Sequence, residues 1–356
     1  MKKITFFTYD VYPGGGTERV MIMIANELAK KYSVEIISVL KSSDRPSYQI
    51  NPNIKIIDLN LKKTEPLILH YPFLSMKIKK LLEQYTTDVF ICVGMRYVPI
   101  SIFMNKSAKY IAWEHYNSFV NKRFSVGDIG RRIASKKADR IVVLSDKDRL
   151  NNINLFKTKE DKIVRIYNPS DYKELSDKYD INSKRIVSVG RVVNQKGFDY
   201  LLEVARNVLN KHQDWQWDIF GDGKDKEELI NKVKEYSLEN SVFFKGKVSN
   251  MKERYKEYAM YVMTSRYEGF PMVNIEAHSA RLPIVSFDCP CGPSEMILDG
   301  ENGYLVDCFN IEKMSEMINY LIENPEIRQE FSDNTTKDKE KLKMSNIIKE
   351  WEKIIE

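Results

Sequence analysis

The chain has 356 residues, of which 43% are hydrophobic and 30% charged, and its formal net charge is +6. This composition excludes an intrinsically disordered chain, and no run of eighteen apolar residues predicts a transmembrane helix. The charge is too modest for this length to require a nucleic-acid partner.

The N-terminal stretch MKKITFFTYD begins basic and then turns apolar. It lacks a long apolar region and a cleavage site, so it predicts a first strand rather than a signal peptide. Four cysteines are present, and only Cys289 and Cys291 are close in sequence; C-x-C alone is poor zinc spacing. We therefore expect reduced thiols, no metal site and a cytoplasmic location.

Short β-rich runs alternate with helical patterns along the first half of the chain. Seven strands are predicted there, at Ile4–Thr8, Val34–Leu40, Ile54–Leu59, Val89–Val93, Tyr110–Trp113, Ile141–Leu144 and Val164–Tyr167. Several are continuously apolar, as parallel strands covered on both faces tend to be. Val20, Ile24 and Leu28 form an apolar stripe at fourfold spacing, which predicts an amphipathic helix between the first two strands.

A polar, turn-rich stretch from Asn168 to Arg185 predicts a linker, and a second α/β series follows it. The strands of this series are predicted at Ile186–Val189, Trp215–Phe220, Val242–Phe244, Tyr261–Thr264, Ile284–Phe287 and Tyr304–Val306. Such alternation predicts an α/β fold with parallel, doubly wound sheets, here as two Rossmann-like domains facing a central cleft. The expected divisions are an N-terminal domain, a linker, a C-terminal domain and a final helix that could pack back on the N-terminal domain, at residues 1–168, 169–184, 185–335 and 336–356.

Positive charge is concentrated between Asn121 and Arg140, where seven Lys or Arg stand against two Asp. Such a run is typical of a solvated helix face. The alternative is a patch that binds anionic lipid or phosphate.

Glycine-rich turns follow several predicted strands, where doubly wound sheets bind their ligands. In YPGGGTERV, residues 12–20, the glycines let the backbone approach a ligand and the next helix N-terminus attracts an anion. Gly14 and Gly16 fit the start of a dinucleotide fingerprint, but Arg19 stands where its third glycine belongs, and no Walker lysine is present. A plain tight turn is the alternative.

Two further turns open the second series. In VGRVVNQKGFDYLLE, residues 189–203, Arg191 and Lys196 place two cations in one strand-to-helix loop, which suits a diphosphate, whereas the alternative is a solvated loop. In FGDGKDKEEL, residues 220–229, Gly221 and Gly223 could give a ligand room, although a plain turn explains them better.

A fourth turn, in SRYEGFPMVNIEAH, carries two acids. Pro271 is predicted in the first turn of a helix, with Glu268 before that helix and Glu276 roughly two turns along, about 12 Å away by helical rise. That separation is too large for the carboxylate pair of a glycosidase, so the acids are predicted to do separate jobs. A nucleotide sugar, with a polyol at each end of a diphosphate, fits them; the alternative is two acids that cap the helix.

Together these motifs resemble the family 4 glycosyltransferases of the GT-B fold, over nearly the whole chain. GRVVNQKG resembles the family's G-R-x-x-x-x-K-G, EGFPMVNIEA its E-x7-E signature, GPSEMILDGENGYLV its closing donor-site loop and PGGGTERV its N-terminal G-G-x-E-R element. The chain departs from the pattern at Arg281, close to where a glycine is common. Each motif is short, but four in the right order and spacing are specific.

The resemblance implies roles in binding the sugar donor. Arg191 and Lys196 would neutralise the diphosphate, Glu276 would hold the ribose hydroxyls and Glu268 would contact the transferred sugar. The rest of the implied donor site consists of turn residues and backbone amides: Gly15, Gly16, Gly190, Gly221, Gly223, Lys247, Val248, Gly269, Phe270, Pro271, Met272, Val273 and Asn274.

The resemblance also implies an acceptor site in the first domain. His115, in WEHYN, resembles the family's cleft histidine and would hydrogen-bond near the reacting sugar, although a histidine after a strand is more often structural. Glu18 and Arg19 would contact the acceptor or a phosphate, or pair with each other.

The implied reaction retains the anomeric configuration through front-face attack, with Arg191, Lys196 and helix N-termini stabilising the leaving diphosphate. No metal or other cofactor is expected. The implied donor is a UDP-hexose or UDP-N-acetylhexosamine. SFDCPCGPSE resembles enzymes that build bacterial capsule, O-antigen or other surface glycans, so the implied acceptor is a glycan or a polyprenyl-diphosphate-linked glycan at the inner face of the membrane, with the basic segment in peripheral contact.

Three alternatives stay open at this point: a GT-B epimerase or hydrolase of nucleotide sugars, a non-catalytic glycan- or lipid-binding module, and an NAD-dependent enzyme. The complete set of two cations and two acids argues against a decayed site, and Arg19 argues against NAD. The loops Lys41–Asn53 and Lys62–Pro72 match no motif and are expected to carry specificity.

Overall fold

The structure is a computed structural model that describes residues 1–60, 75–76, 78–80, 82–83, 85–102, 107–120, 122–170, 179–337 and 339–356. The predicted specificity loop Lys62–Pro72 and residues 171–178 of the predicted linker lie outside the described residues. The contacts divide the chain into two compact units. The first unit comprises Met1–Pro169 with Met344–Glu356, and the second unit comprises Ser170–Lys343.

The first unit contains a parallel sheet of seven strands. In chain order these are β1 Lys3–Asp10, β2 Ser33–Leu40, β3 Lys55–Asp58, β4 Val89–Val93, β5 Lys109–Trp113, β6 Arg140–Val143 and β7 Ile163–Arg165. Their spatial order is β3-β2-β1-β4-β5-β6-β7. The α-helices of this unit that are described over their full length are Gly16–Leu28, Val98–Ser101, Val126–Lys137, Asp146–Phe156 and, from the end of the chain, Met344–Ile355.

The second unit contains a parallel sheet of six strands. These are β8 Arg185–Val189, β9 Gln216–Phe220, β10 Val242–Gly246, β11 Met260–Met263, β12 Ile284–Phe287 and β13 Gly303–Val306, in the spatial order β10-β9-β8-β11-β12-β13. Its α-helices are Phe198–Lys211, Lys226–Glu235, Met251–Arg254, Met272–Ser279, Ile311–Glu323 and Pro325–Asn334.

All thirteen predicted strands are confirmed, with ends that differ by a few residues. The predicted apolar stripe is also confirmed, because Val20, Ile24 and Leu28 are buried on the helix that follows β1. The C-terminal helix is amphipathic as predicted. Its Trp351 is buried and packs edge-on against Trp113 of β5, with ring centroids 4.7 Å apart.

Both sheets reverse their direction of winding at one strand pair, β1/β4 in the first unit and β8/β11 in the second. Beyond the carboxyl ends of such a pair the two following loops diverge, which leaves a crevice where doubly wound folds bind ligands. Helices cover the sheets. Within the described residues, none of these helices is both long and apolar enough to cross a membrane. The loops after these four strands are therefore where functional residues are expected.

Candidate active site

The loops after β8 and β9 lie against each other in the second unit. The backbone N–H of Gly190 donates to the carbonyl of Phe220 at 2.9 Å, and Val192 N–H donates to Asp222 at 2.9 Å. A Cβ atom on Gly221 would collide with the carbonyl of Gly190, and Gly221 also has φ +134°. The glycine is therefore required by close backbone packing. This packing agrees with the plain turn that the sequence favoured at this position.

Close backbone packing also requires a glycine at position 223, because a Cβ on Gly223 would collide with the carbonyl of Val192. These two glycines allow the loop after β9 to pack closely against the loop that carries Arg191 and Lys196. Their predicted donor contacts stay a prediction.

We predict that Gly221→Ala lowers the free energy of unfolding of the protein by about 2–4 kcal/mol, because alanine combines an unfavourable positive φ with a backbone collision. Urea-induced unfolding measures the change. Gly16→Ala is the matched control, since a Cβ on Gly16 meets nothing within 4 Å and its φ is not positive. Equal stability of the two variants would contradict the packing explanation.

The predicted cation and the predicted acid of two separate motifs form an ion pair. Lys196 Nζ lies 2.6 Å from Glu268 Oε1, and the two side chains are only 13% and 9% exposed. Ser265 Oγ donates to the same carboxylate oxygen at 2.7 Å. Lys196 follows β8 and Glu268 follows β11, so the pair spans the β8/β11 crevice.

The second predicted cation, Arg191, is exposed at the start of the same loop. Lys247 is exposed as well, whereas Val248 is half-buried against a core cluster that contains Tyr255, Tyr258 and Tyr261. Arg191 is thus available to an anionic ligand, and Lys247 borders the same end of the sheet.

Glu276 lies in the helix Met272–Ser279 and is buried. Tyr255 Oη donates to Glu276 Oε2 at 3.2 Å. Tyr261 of β11 is buried near both acids, and its pKa is raised well above the usual value first by burial and then by the charges of Glu268 and Glu276. The charges of both acids therefore act on one buried tyrosine, and the separate roles of the acids stay a prediction.

The Gly-Phe-Pro turn opens the helix, but Pro271 stands one residue before its first turn. Phe270 is buried and Gly269 is half-buried. Gly292, at φ +98°, lets the loop after β12 pass so close that a Cβ would collide with Pro271. This packing fixes the turn that carries the first acid.

Asn274 lies in the first turn of the same helix. Its backbone N–H donates to the Pro271 carbonyl at 3.0 Å, so this amide is already used within the protein. Its side chain is fully buried, and neither amide atom has a hydrogen-bond partner among the described residues. Met272 and Val273 are half-buried at the helix start, where helices leave N–H groups unpaired.

Four residues that hold or border the two acids and their turn were not predicted from the sequence: Tyr255, Tyr261, Ser265 and Gly292. Tyr261 and Ser265 were detectable in principle, because they lie on β11 or directly after it. Gly292 opens the GPSEMILDGENGYLV loop, but it was not singled out within that motif. Tyr255 comes from a segment with no ligand-like pattern, so only the fold brings it in.

The first unit has a cavity of about 700 Å³ beyond the ends of β1, β2 and β4. Glu18 and His115, two of the three residues predicted for the acceptor, both line it. The remaining lining is Thr8, Tyr9, Asp10, Pro13, Thr17, Leu40, Lys41, Ser42, Asn60, Val93, Gly94, Arg96, Tyr97 and Tyr116. Lys41 and Ser42 belong to the first predicted specificity loop.

Arg19, Gly15 and Gly16 do not line this cavity. Gly15 precedes the helix Gly16–Leu28, and a Cβ on it would collide with the Glu18 carboxylate. The glycine therefore lets Glu18 fold back over the helix start. No donor contact of Gly15 or Gly16 is tested by this geometry.

His115 is a neutral side chain in this structure. Burial lowers its pKa to about 3, and its ring centroid lies 4.2 Å from that of Trp113. Its Nε2 atom has no hydrogen-bond partner among the described residues. An imidazole that stays uncharged at neutral pH can donate or accept one hydrogen bond but cannot supply a positive charge.

The loop that carries His115 is held by a buried ion pair. Arg131 Nε lies 2.7 Å from Glu114 Oε2, and the two side chains are 8% and 1% exposed. Arg131 Nη2 also donates to the carbonyl of Asn117 at 3.1 Å, while the other Glu114 oxygen accepts the N–H of Tyr116 at 3.1 Å. Arg131 was predicted as one of the cations of the basic run, but it faces inward and braces this loop.

A second buried acid continues the network. Asp148 accepts the backbone N–H of Ser118 at 2.7 Å and also its hydroxyl. The pKa of Asp148 is raised to about 6, first by burial and then by the Glu114 charge, while Ser118 and Arg131 oppose the increase. The loop is thus anchored at both ends by carboxylates that the fold keeps out of water.

Within the described part of the chain, no group of three or more His, Cys, Asp and Glu side chains is arranged to hold a metal ion. Cys92, Cys289 and Cys291 are buried, Cys308 is half-buried, and all four are free thiols. Burial raises the pKa of Cys289 far above its usual value, so this thiol is unreactive as a nucleophile.

Two family models match the chain. "Glycosyltransferase Family 4" matches residues 14–174, and "Glycosyl transferases group 1" matches residues 171–338. An uncharacterized glycosyltransferase of Haemophilus influenzae is 34% identical over 359 residues, which cover 100% of each chain. The N-acetylgalactosamine-N,N'-diacetylbacillosaminyl-diphospho-undecaprenol 4-alpha-N-acetylgalactosaminyltransferase of Campylobacter jejuni is 27% identical and aligns over 93% of each chain.

Among solved structures, an S. aureus TarM mutant in complex with Fondaparinux, alpha-GlcNAc-glycerol and UDP has a TM-score of 0.83 at 18% identity over 100% of both chains. That similarity shows the GT-B fold that the motifs predicted. With matching family models and a relative above 30% identity over its full length, the chain belongs to the family 4-like glycosyltransferases of the GT-B fold.

Proposed function

We propose that this glycosyltransferase moves a hexose or N-acetylhexosamine from a UDP-sugar, with retention of configuration, to a glycan or polyprenyl-diphosphate-linked glycan during bacterial surface polysaccharide synthesis. The observation that carries the donor assignment is the Lys196–Glu268 ion pair at the β8/β11 crevice. It joins the cationic motif to the acidic motif at the place where a doubly wound sheet binds a nucleotide.

On this proposal the diphosphate is bound next to Lys196 and the exposed Arg191. Negative charge develops on the diphosphate as it leaves, and the two cations stabilise that charge, with Lys196 already held in place by Glu268. Glu276, held by Tyr255, accepts hydrogen bonds from the ribose hydroxyls. The binding of UDP by the structurally similar TarM mutant supports the choice of a uridine nucleotide.

Front-face attack requires no carboxylate nucleophile. Of the two acids at this site, Glu268 is occupied by Lys196 and Ser265, and Glu276 by Tyr255. These partners suit acids that accept hydroxyl hydrogen bonds from the substrate, which is the role we assign to both. The two cations also take the place of a metal ion, so we propose that the reaction needs no metal cofactor.

The acceptor is assigned to the cavity of the first unit, which joins Glu18, the neutral His115 and the stacked rings of Tyr9 and Tyr97, 5.4 Å apart. Carboxylate, imidazole and phenol groups are suited to the hydroxyls of a sugar. The lipid-diphosphate-linked substrate in the name of the Campylobacter jejuni relative supports a lipid-linked acceptor here.

A panel of nucleotide sugars tested by thermal unfolding in EDTA examines the donor assignment. A ligand at one hundred times its Kd contributes about 2.7 kcal/mol, which we expect to raise Tm by about 5 °C. We expect one UDP-sugar to give this shift, and Glu276→Gln to weaken binding about 10- to 100-fold because a charged hydrogen-bond acceptor is lost. The anomeric configuration of the product, read by NMR, then tests retention.

Glu239→Gln is the matched control, because Glu239 is exposed in the same unit and lies outside the proposed site. A wild-type protein that responds to no nucleotide sugar or nucleoside diphosphate would overturn the donor assignment. A requirement for added divalent metal would overturn the metal-free mechanism alone.

A further inference from the structure

Exposed apolar side chains are concentrated in one short segment of the first unit. Of the eleven large hydrophobic side chains that are most exposed in the described part of the chain, five fall within residues 116–129. They are Tyr116, Phe119, Val120, Phe124 and Ile129. Single exposed apolar residues need no explanation, but a cluster of this kind marks an interaction surface.

The exposed charges of the same segment all have one sign. Between residues 116 and 137 the exposed charged side chains among the described residues are Lys122, Arg123, Arg132, Lys136 and Lys137. The one acid in this range, Asp128, is buried and pairs with Arg132 at 3.0 Å. The surface therefore offers cations and aromatic rings without exposed carboxylates.

Phe124 is held outward against its conformational preference. It is 75% exposed and has φ +63°, a region that bulky side chains rarely adopt. Its backbone N–H donates to Asp128 at 3.0 Å, and the Arg123 guanidinium lies 5.0 Å from its ring centroid. A strained aromatic residue presented to solvent beside a cation is evidence of a binding role.

The segment borders the cavity that we assign to the acceptor, because Tyr116 belongs to both. A membrane partner fits this combination. Anionic lipid attracts the lysines and arginines, and aromatic rings enter the interface between headgroups and acyl chains.

We propose that Tyr116, Phe119, Val120, Lys122, Arg123, Phe124, Ile129 and Arg132 form a docking patch for the surface of an anionic phospholipid bilayer. The patch places the acceptor cavity at the membrane. A lipid-linked acceptor then reaches the cavity while its polyprenyl chain stays in the bilayer. This inference rests on the proposed lipid-linked acceptor and assigns it a point of entry.

Co-sedimentation of the full chain with vesicles tests the patch. We expect binding to vesicles of phosphatidylcholine with 30% phosphatidylglycerol, much weaker binding to phosphatidylcholine alone, and loss of binding at high salt because exposed charges are screened. Phe119→Ser/Phe124→Ser and Lys122→Gln/Arg123→Gln should each weaken binding. For the second variant we expect about a fivefold loss per cation removed.

Two variants in the second unit are matched controls. Phe309→Ser changes a side chain of similar exposure to Phe119, and Lys224→Gln/Lys313→Gln removes two exposed cations. Both should bind vesicles like the wild type. All variants should keep their thermal response to UDP, so a loss of vesicle binding is distinguishable from a failed donor site.

Three results would overturn the proposal: no wild-type binding to anionic vesicles, equal binding by patch and control variants, or equal binding to both kinds of vesicle. A fourth is a wild-type dimer in sedimentation that the patch variants convert to a monomer, because the patch would then bind a second copy of the chain.

Discussion

Replacing Lys196 with methionine should weaken UDP binding about 10- to 100-fold and slow transfer about 10²- to 10³-fold. The cation lies in the loop after β8, and the leaving diphosphate gains charge there on the proposed mechanism. Titration calorimetry with UDP measures the binding loss. Single-turnover assays with the UDP-sugar identified by thermal unfolding measure the rate.

The same substitution also affects stability, because it leaves Glu268 mostly buried without its cation. We expect the free energy of unfolding to fall by about 2–3 kcal/mol. Lys196→Met/Glu268→Gln removes both charges and should recover most of this loss while UDP binding stays weak. If the double variant recovered UDP affinity as well, Lys196 would act through the fold and not through the diphosphate.

Lys3→Met controls for the loss of a lysine that pairs with a buried acid. Lys3 Nζ lies 3.1 Å from the buried Glu35 in the first unit, away from the proposed donor site. We expect this variant to lose stability without losing UDP affinity. Equal losses of UDP affinity in the Lys196 and Lys3 variants would contradict the specific role of Lys196.

The strands were predictable because each is a short apolar run between turns, and parallel strands covered on both faces need such runs. The exact ends of the strands were predicted less accurately. β1, for example, continues through Tyr9 and Asp10, two residues beyond its predicted end, and both of these residues line the first unit's cavity. Their polarity gave no sign that the strand extends this far.

The acids and cations of the second unit were predictable because each follows a strand within a recognisable spacing. The Lys196–Glu268 ion pair was not, since 72 residues separate the partners and only the β8–β11 pairing unites them. The glycines show a different limit of sequence patterns. For Gly221 and Gly223 the sequence favoured a plain turn over room for a ligand, but it cannot show that a neighbouring backbone fills the space that a side chain would need.

The basic run shows why charge counting is insufficient. Its seven cations suggest one solvated surface, yet Arg131 is buried against Glu114 while Lys122 and Arg123 face solvent beside Phe124. Helical spacing separates these roles, because Arg131 shares the inward face with Asp128 and Gly130. A Cβ on Gly130 would collide with the Met95 carbonyl, so the helix packs closely against the backbone that follows β4.

Replacing Arg131 with methionine should lower the free energy of unfolding of the first unit by about 3–5 kcal/mol, because Glu114 would remain buried without a partner. The loss should be larger at pH 8 than at pH 5. Asp148 already has a folded pKa of about 6, above its unfolded value, so its ionisation makes the fold less stable as pH rises through this range. Arg131 lowers that pKa, and its removal enlarges the effect.

Urea unfolding at both pH values measures the loss of stability in Arg131→Met, and two further variants serve as controls. Lys30→Met breaks an exposed ion pair with Glu27 and should cost less than about 1 kcal/mol. Arg131→Met/Glu114→Gln removes the uncompensated charge and should recover most of the stability. The glutamine oxygen still accepts the Tyr116 N–H, so the double variant should also hold the His115 loop. A double variant no more stable than Arg131→Met would show that the guanidinium supports this loop through packing and its bond to Asn117, and not through charge.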